Sequence, residues 1–132
     1  MNGAKTRQSL DNLGRALNRL GEALDAPESD PLTVDATIQR FEFTIELFWK
    51  TFRRLLLTQG VETATPREAL EAAYQAKWFG DDESWYQMLL DRNTTSHIYD
   101  EDTARRIYEN IRRHYPEMRR VYVILNGKYG KP

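Results

Sequence analysis

The stretch Arg92-Asn93-Thr94-Thr95-Ser96-His97-Ile98-Tyr99 brings a fixed cation, an amide, an imidazole and a phenol within eight residues. That set suits a phosphodiester. A guanidinium fork binds phosphate oxygens in pairs, an imidazole near its ordinary pKa takes or gives a proton at neutrality, and an amide can orient either one. Such chemistry calls for no metal and no cofactor. On a regular helix Arg92, Ser96 and Tyr99 share one edge, and Asn93, His97 and Asp100 share the next. Arg92 and His97 stand five positions apart, about 140° around the axis. They meet on one substrate if Arg92 reaches across, if the helix is distorted near Thr94-Thr95, or if a second copy of the chain contributes. The competing reading is a helix-end His that caps carbonyls and an Arg paired with Asp91 or Asp100.

Other chemistries fall away. The chain has no cysteine, so disulfides, thiolate metal sites, iron–sulfur clusters and a Cys nucleophile are excluded. None of its seven glycines forms a phosphate-binding loop. Glu42 and Glu46 have the i, i+4 spacing of diiron bundles but lack a Glu-x-x-His companion, because the two histidines are His97 and His114. Exposure to solvent or a salt bridge to Arg92 is the better assignment for that pair. Arg105-Arg106, Arg112-Arg113 and Arg119-Arg120 recur every seven residues, and the segment from Glu101 to Lys131 carries +4. These six are expected on one face opposite the apolar seam, as a surface for RNA or an acidic partner, against the simpler alternative of a solvated face. Trp49, Trp78 and Trp85 fit core or interface positions, and His114 a buried or capping one.

The elements that carry these residues are helical. Leu10, Leu13, Leu17, Leu20 and Leu24 step by three and four, which predicts a helix over about 5–25. Asp30-Pro31 reads as an N-cap with Pro at the first helical position. A second helix follows, with Ile38, Phe41, Ile45, Phe48, Phe52 and Leu55 inward until Gly60 stops it. Thr65-Pro66-Arg67-Glu68 spells a capping box for a third, burying Leu70, Ala73 and Tyr74. A fourth runs from about Asp82 to Ile98, with Trp85, Met88 and Leu89 inward. A last one, about Glu101 to Leu125, carries Ala104, Ile107, Ile111, Met118, Val121 and Leu125, with Pro116 as a potential kink. From about residue 126 a frayed tail is expected. No strand pattern appears. The 132 residues therefore predict one all-α domain, an antiparallel up-and-down bundle of four to five helices. Phe43, Leu47 and Leu57 lie off the main seam of the second helix, which suggests a homodimer unless other helices of the same chain cover them. A net charge of −1, no apolar leader and no apolar run of spanning length predict a cytoplasmic protein with no membrane partner.

In this company the motif resembles the HEPN superfamily, in particular its branch of nucleotidyltransferase substrate-binding proteins. The likeness covers about residues 6–125. It rests on Leu10-x2-Leu13-x3-Leu17, on Arg40-Phe41-Glu42-Phe43-Thr44-Ile45-Glu46-Leu47-Phe48-Trp49-Lys50, and on Arg92-Asn93-x3-His97-x-Tyr99. The resemblance implies a dimerising helical bundle, encoded beside a minimal nucleotidyltransferase with which it assembles. In toxin-like members the motif is a metal-independent ribonuclease site. Carried over, His97 is the general acid or base, Arg92 stabilises the phosphorane charge and Asn93 is the polar residue after it. Tyr99 matches the tyrosine that the partner enzyme adenylylates, placing a bulky anion beside the cation and silencing the toxin. The alternative is a subunit without catalysis that binds nucleotide or positions a substrate for the nucleotidyltransferase. Both readings need the cation and the phenol together, so the residues do not choose between them.

Overall fold

Most of the helices begin where the local chemistry satisfies their first N–H groups. A computed structural model of the chain describes residues 3–95 and 100–130. It contains α1 (Gly3–Asp25), α2 (Pro31–Thr58), α3 (Pro66–Gln75), α4 (Asp82–Thr95) and α5 (Glu101–Tyr129). Asp30 caps α2 by accepting from Leu32 N at 2.9 Å. Thr65 caps α3 by accepting from Glu68 N at 3.1 Å, while the Glu68 carboxylate reaches back to Ala64 N at 2.8 Å. That is the expected capping box, with its return bond taken one residue further upstream. Helices α2 and α3 both end in Schellman turns. In the first, Gly60 has φ 82° and Val61 N bonds Leu56 O at 2.9 Å. In the second, Lys77 takes the left-handed conformation at φ 65° and Trp78 N bonds Ala73 O at 3.1 Å.

Helix α2 is the centre of the bundle and packs against all four other helices. Its predicted stripe is buried throughout, as are the five leucines of α1 and the six seam residues of α5. Helices α1 and α5 run antiparallel in close contact. Tyr122 lies over Gly14 and Tyr115 over Gly21, positions where an added Cβ would meet each ring. The Tyr115 hydroxyl donates to Leu17 O at 3.1 Å. Where α2 meets α4 and the α3–α4 connection, an aromatic cluster fills the core. Trp85 has its ring centroid 5.0 Å from Phe48, 5.4 Å from Phe52 and 5.0 Å from Phe79. Such pairs add about 0.5–1.5 kcal/mol each beyond the area they bury.

Two expectations are corrected here. The tail from 126 is not frayed through its first residues, because α5 continues to Tyr129. Its ring packs edge-on against Trp78 at 5.8 Å, and its hydroxyl accepts from Gln59 Nε2 at 2.8 Å. Tyr74 is 42% exposed and covers only the rim of Phe79, since the short α3 turns its buried side, Ala69, Leu70 and Ala73, toward α2. Pro116 lies within α5, on its exposed side, and the helix runs on through it. The surplus apolar face of α2 remains partly open, with Phe43 61% and Leu57 53% exposed and Leu47 packed against the core. Among the described residues no helix is long and apolar enough to cross a membrane.

Candidate functional site at the end of helix α4

The last turn of α4 is a poor helix on its own. Asn93, Thr94 and Thr95 have side chains that compete for backbone groups or lose rotamer freedom in a helix. It is held by α2. The Arg92 guanidinium forms an ion pair with Glu46, which also lies 4.0 Å from Lys50 Nζ, and the Thr95 hydroxyl bonds Glu42. The i, i+4 carboxylates of α2 therefore serve as the fixed wall for α4, in line with the expected pairing to Arg92. Arg92 also donates from Nη2 to Asn93 Oδ1 at 3.0 Å, so cation and amide are joined in one unit. With side chains 26% and 36% exposed, Arg92 and Glu46 remain within reach of solvent and of a ligand. A phosphate arriving there would share or replace the carboxylate on the guanidinium fork.

Beneath Arg92 lies a buried polar cluster. Asp91, 2% exposed, accepts from Gln87 Nε2 at 2.9 Å and Asn110 Nδ2 at 3.2 Å, and its Oδ2 is 3.2 Å from His114 Nε2. Arg113 donates to the Asn110 oxygen, and the His114 ring stacks on Phe41 with centroids 6.4 Å apart. Here the expected buried His114 is found. Sequence reasoning misses the role of Asp91, although a carboxylate three residues after Trp85-x2-Met88 on an inward stripe, opposite Asn110 and His114 on the α5 seam, is a signal for it. Asp91 is thus not the partner of Arg92, and neither is Asp100. Asp100 is the N-cap of α5, accepting from Thr103 N at 2.8 Å, so it does not share a helical edge with Asn93. That bond, with one from the Thr103 hydroxyl, holds its carboxyl below the usual range. His97, Tyr99 and the predicted end of α4 at Ile98 lie outside the described residues.

The six arginines of α5 do not form one stripe. Adjacent residues on a helix point 100° apart, so the pairs divide between two sides. Toward α1, Arg112 donates to Leu24 O at 3.1 Å and Arg119 to Asn18 Oδ1 at 2.9 Å. Arg105 lies 3.8 Å from Glu28 in the α1–α2 connection. On the other side, Arg113 is tied to Asn110, and Arg120 makes two 2.9 Å bonds to Glu117, which in turn accepts from Trp85 Nε1 at 3.0 Å. Arg106 is exposed near the start of the helix. All three tryptophans are buried.

With this geometry in place, comparison with known proteins fixes the lineage. Residues 8–126 match the family described as nucleotidyltransferase substrate binding protein like, and the chain belongs to that family. It is 31% identical over 83 residues to a probable ribonuclease HepT of Haemophilus influenzae, an alignment covering 59% of this chain. The match spans 57% of that curated relative's length. A crystal structure of a Thermus thermophilus protein superposes with a TM-score of 0.75 at 30% identity, covering 90% of this chain and 99% of that one.

Proposed function

We propose that this protein is the HEPN-type subunit of a two-gene system with a minimal nucleotidyltransferase, and that it cleaves RNA without a metal. The observation that carries the reading is the Arg92–Asn93 unit, fixed by Glu46 at the rim of a cleft, five residues before His97. In the reaction His97 takes the proton of a ribose 2′-hydroxyl, whose oxygen attacks the adjacent phosphorus. Negative charge on the pentacoordinate centre is stabilised by Arg92, and the bond to the 5′-oxygen breaks as that oxygen takes a proton from water, to which His97 later returns its own. The products carry a 2′,3′-cyclic phosphate and a 5′-hydroxyl. Adenylylation of Tyr99 by the partner would place phosphate beside the same cation and block substrate. The open face of α2 around Phe43 and Leu57 supports assembly as a homodimer. The outward arginines of α5, exposed Arg106 among them, are available to RNA or to the partner.

A second reading is favoured by the family description, which names substrate binding for a nucleotidyltransferase. In it the same cation binds nucleotide phosphate and no bond in RNA is broken. The deciding experiment incubates unmodified protein with total tRNA in EDTA, comparing wild type with His97→Ala and analysing the fragment ends. Cleavage lost in the variant, with cyclic-phosphate ends, establishes the nuclease. Intact tRNA with both proteins would sink that reading in favour of the binding subunit.

A further inference from the structure

The N-terminal turn of α3 and the outer side of α4 enclose a cleft of about 660 Å³ that opens beside Arg92 and Asn93. Its wall is a stacking platform. The Arg67 guanidinium lies over the Tyr86 ring, 4.9 Å from the centroid, and half-exposed Leu90 continues the apolar surface one helical turn further on. The ring is rigid, since Tyr86 packs against the core. Arg67 is more easily adjusted, because its other contact is an exposed pair to Glu71 at 3.8 Å, of a kind that contributes little. Two amides face the cleft with defined polarity. Asn93 uses its oxygen to accept from Arg92, and Gln87 uses its nitrogen to donate to Asp91. An amino donor from Asn93 and a carbonyl acceptor from Gln87 are thereby offered to a ligand. Tyr86 and Arg92 are six residues apart on one helix, about 9 Å along its axis.

A planar platform, an amide donor and acceptor beside it, and a phosphate-binding cation at one end match the parts of a nucleotide. We infer that the α3–α4 cleft is a subsite for one nucleotide of single-stranded RNA, its base stacked on Arg67 and Tyr86 and its phosphate directed to Arg92. The inference rests on the nuclease reading for the identity of the strand. It adds a determinant of which residue flanks the cleaved bond. Glu83 also lines the cleft, and its carboxylate disfavours a second phosphate beside it.

The test uses full-length His97→Ala protein, so that binding is read without cleavage, and a labelled single-stranded RNA decamer followed by fluorescence anisotropy. Stacking on an aromatic side chain leads to an expected loss of about fivefold or more in affinity for Tyr86→Ala. Tyr86→Phe, which keeps the ring, should stay within about twofold, and Arg67→Ala, at an exposed position, should weaken binding by about threefold or more. Thermal melts of each variant separate lost binding from lost folding, and Arg67→Ala carries the test where Tyr86→Ala does not fold. Unchanged affinity in Arg67→Ala and Tyr86→Ala would overturn the inference, as would absence of binding by the parent. AMP competing as tightly as the decamer would overturn the assignment to an RNA strand. In the cleaving protein, turnover with KM unmoved by either variant removes the subsite and spares the nuclease. Tyr86-dependent binding without any cleavage does the reverse.

Discussion

Asp91 offers the sharpest test of how the site is held. Its carboxylate receives the side chains of Gln87, Asn110 and His114, and both α5 partners are almost fully buried, at 9% or less exposed. Asp91→Ala removes the acceptor and leaves two interior groups without it, while half-exposed Gln87 can turn to water. Each buried group left unsatisfied costs about 1–3 kcal/mol, which gives a loss of about 2–6 kcal/mol. At this chain length that is a Tm lowered by roughly 7–22 °C. Non-additivity is the stronger prediction. In a His114→Phe background one of the orphaned groups is already gone, so Asp91→Ala should cost about 1–2 kcal/mol less than in the wild type. Urea and thermal unfolding followed by circular dichroism at 222 nm measure both quantities. A single-variant loss below about 1 kcal/mol, or a double variant additive within about 0.5 kcal/mol, would refute the claim that this cluster fastens α4 to α5.

Three further outcomes follow from the same geometry. Glu46→Gln removes the carboxylate that competes with a phosphate for Arg92, so RNA should bind a few-fold more tightly at low salt, and the gain should fade as salt is raised; weaker binding in a filter or anisotropy titration would show instead that Glu46 is needed to aim the guanidinium. Lys77→Gly relieves a left-handed backbone position at the end of α3 and should stabilise the fold by about 0.5–1 kcal/mol, read as a raised urea midpoint. The caps Asp81 and Asp100 have carboxyls lowered from 3.8, the first chiefly by bonds from the Ser84 hydroxyl and N–H, the second by Thr103. Groups lowered on folding contribute stability that is present above pH 3.8 and lost as pH falls through their folded values, so Tm should drop below about pH 4 and drop less steeply in the Asp81→Asn, Asp100→Asn double variant.

What the sequence makes legible is what neighbours in the chain decide. The leucine stripe of α1, the caps at Asp30 and Thr65 and the stop at Gly60 depend on residues within a turn of one another. The pairing of Glu46 with Arg92 is accessible for a different reason, since carboxylates on the central helix need a cation and the motif supplies one. The Asp91–His114–Asn110 cluster joins residues 19 and 23 positions apart on different helices. Periodicity turns each of them inward but does not specify that they meet. Tyr129 is likewise ordered by Gln59 and Trp78, far back in the chain, so a C-terminal segment that reads as polar and frayed is helical. The seven-residue recurrence of the arginine pairs is real, but it describes two rows 100° apart, and packing against α1 occupies one of them.

The design of α4 explains why the site sits at its end. Its first half is anchored by Trp85 and Met88 in the aromatic core, where burial alone fixes the helix. Its second half turns polar, and each of its first two polar residues is taken by a different neighbour: Asp91 by α5, Arg92 by α2. Successive residues point 100° apart, so clamping both on different sides fixes the rotation of the helix as well as its position. On the proposed nuclease reading, a guanidinium held in that way presents a nearly constant orientation to an arriving phosphate, which lowers the ordering cost of binding and favours a defined attack geometry. The same clamping makes Arg92 depend on residues that never touch substrate. Loss of Asp91 should therefore alter phosphate recognition through the angle of α4 even where the guanidinium itself is intact.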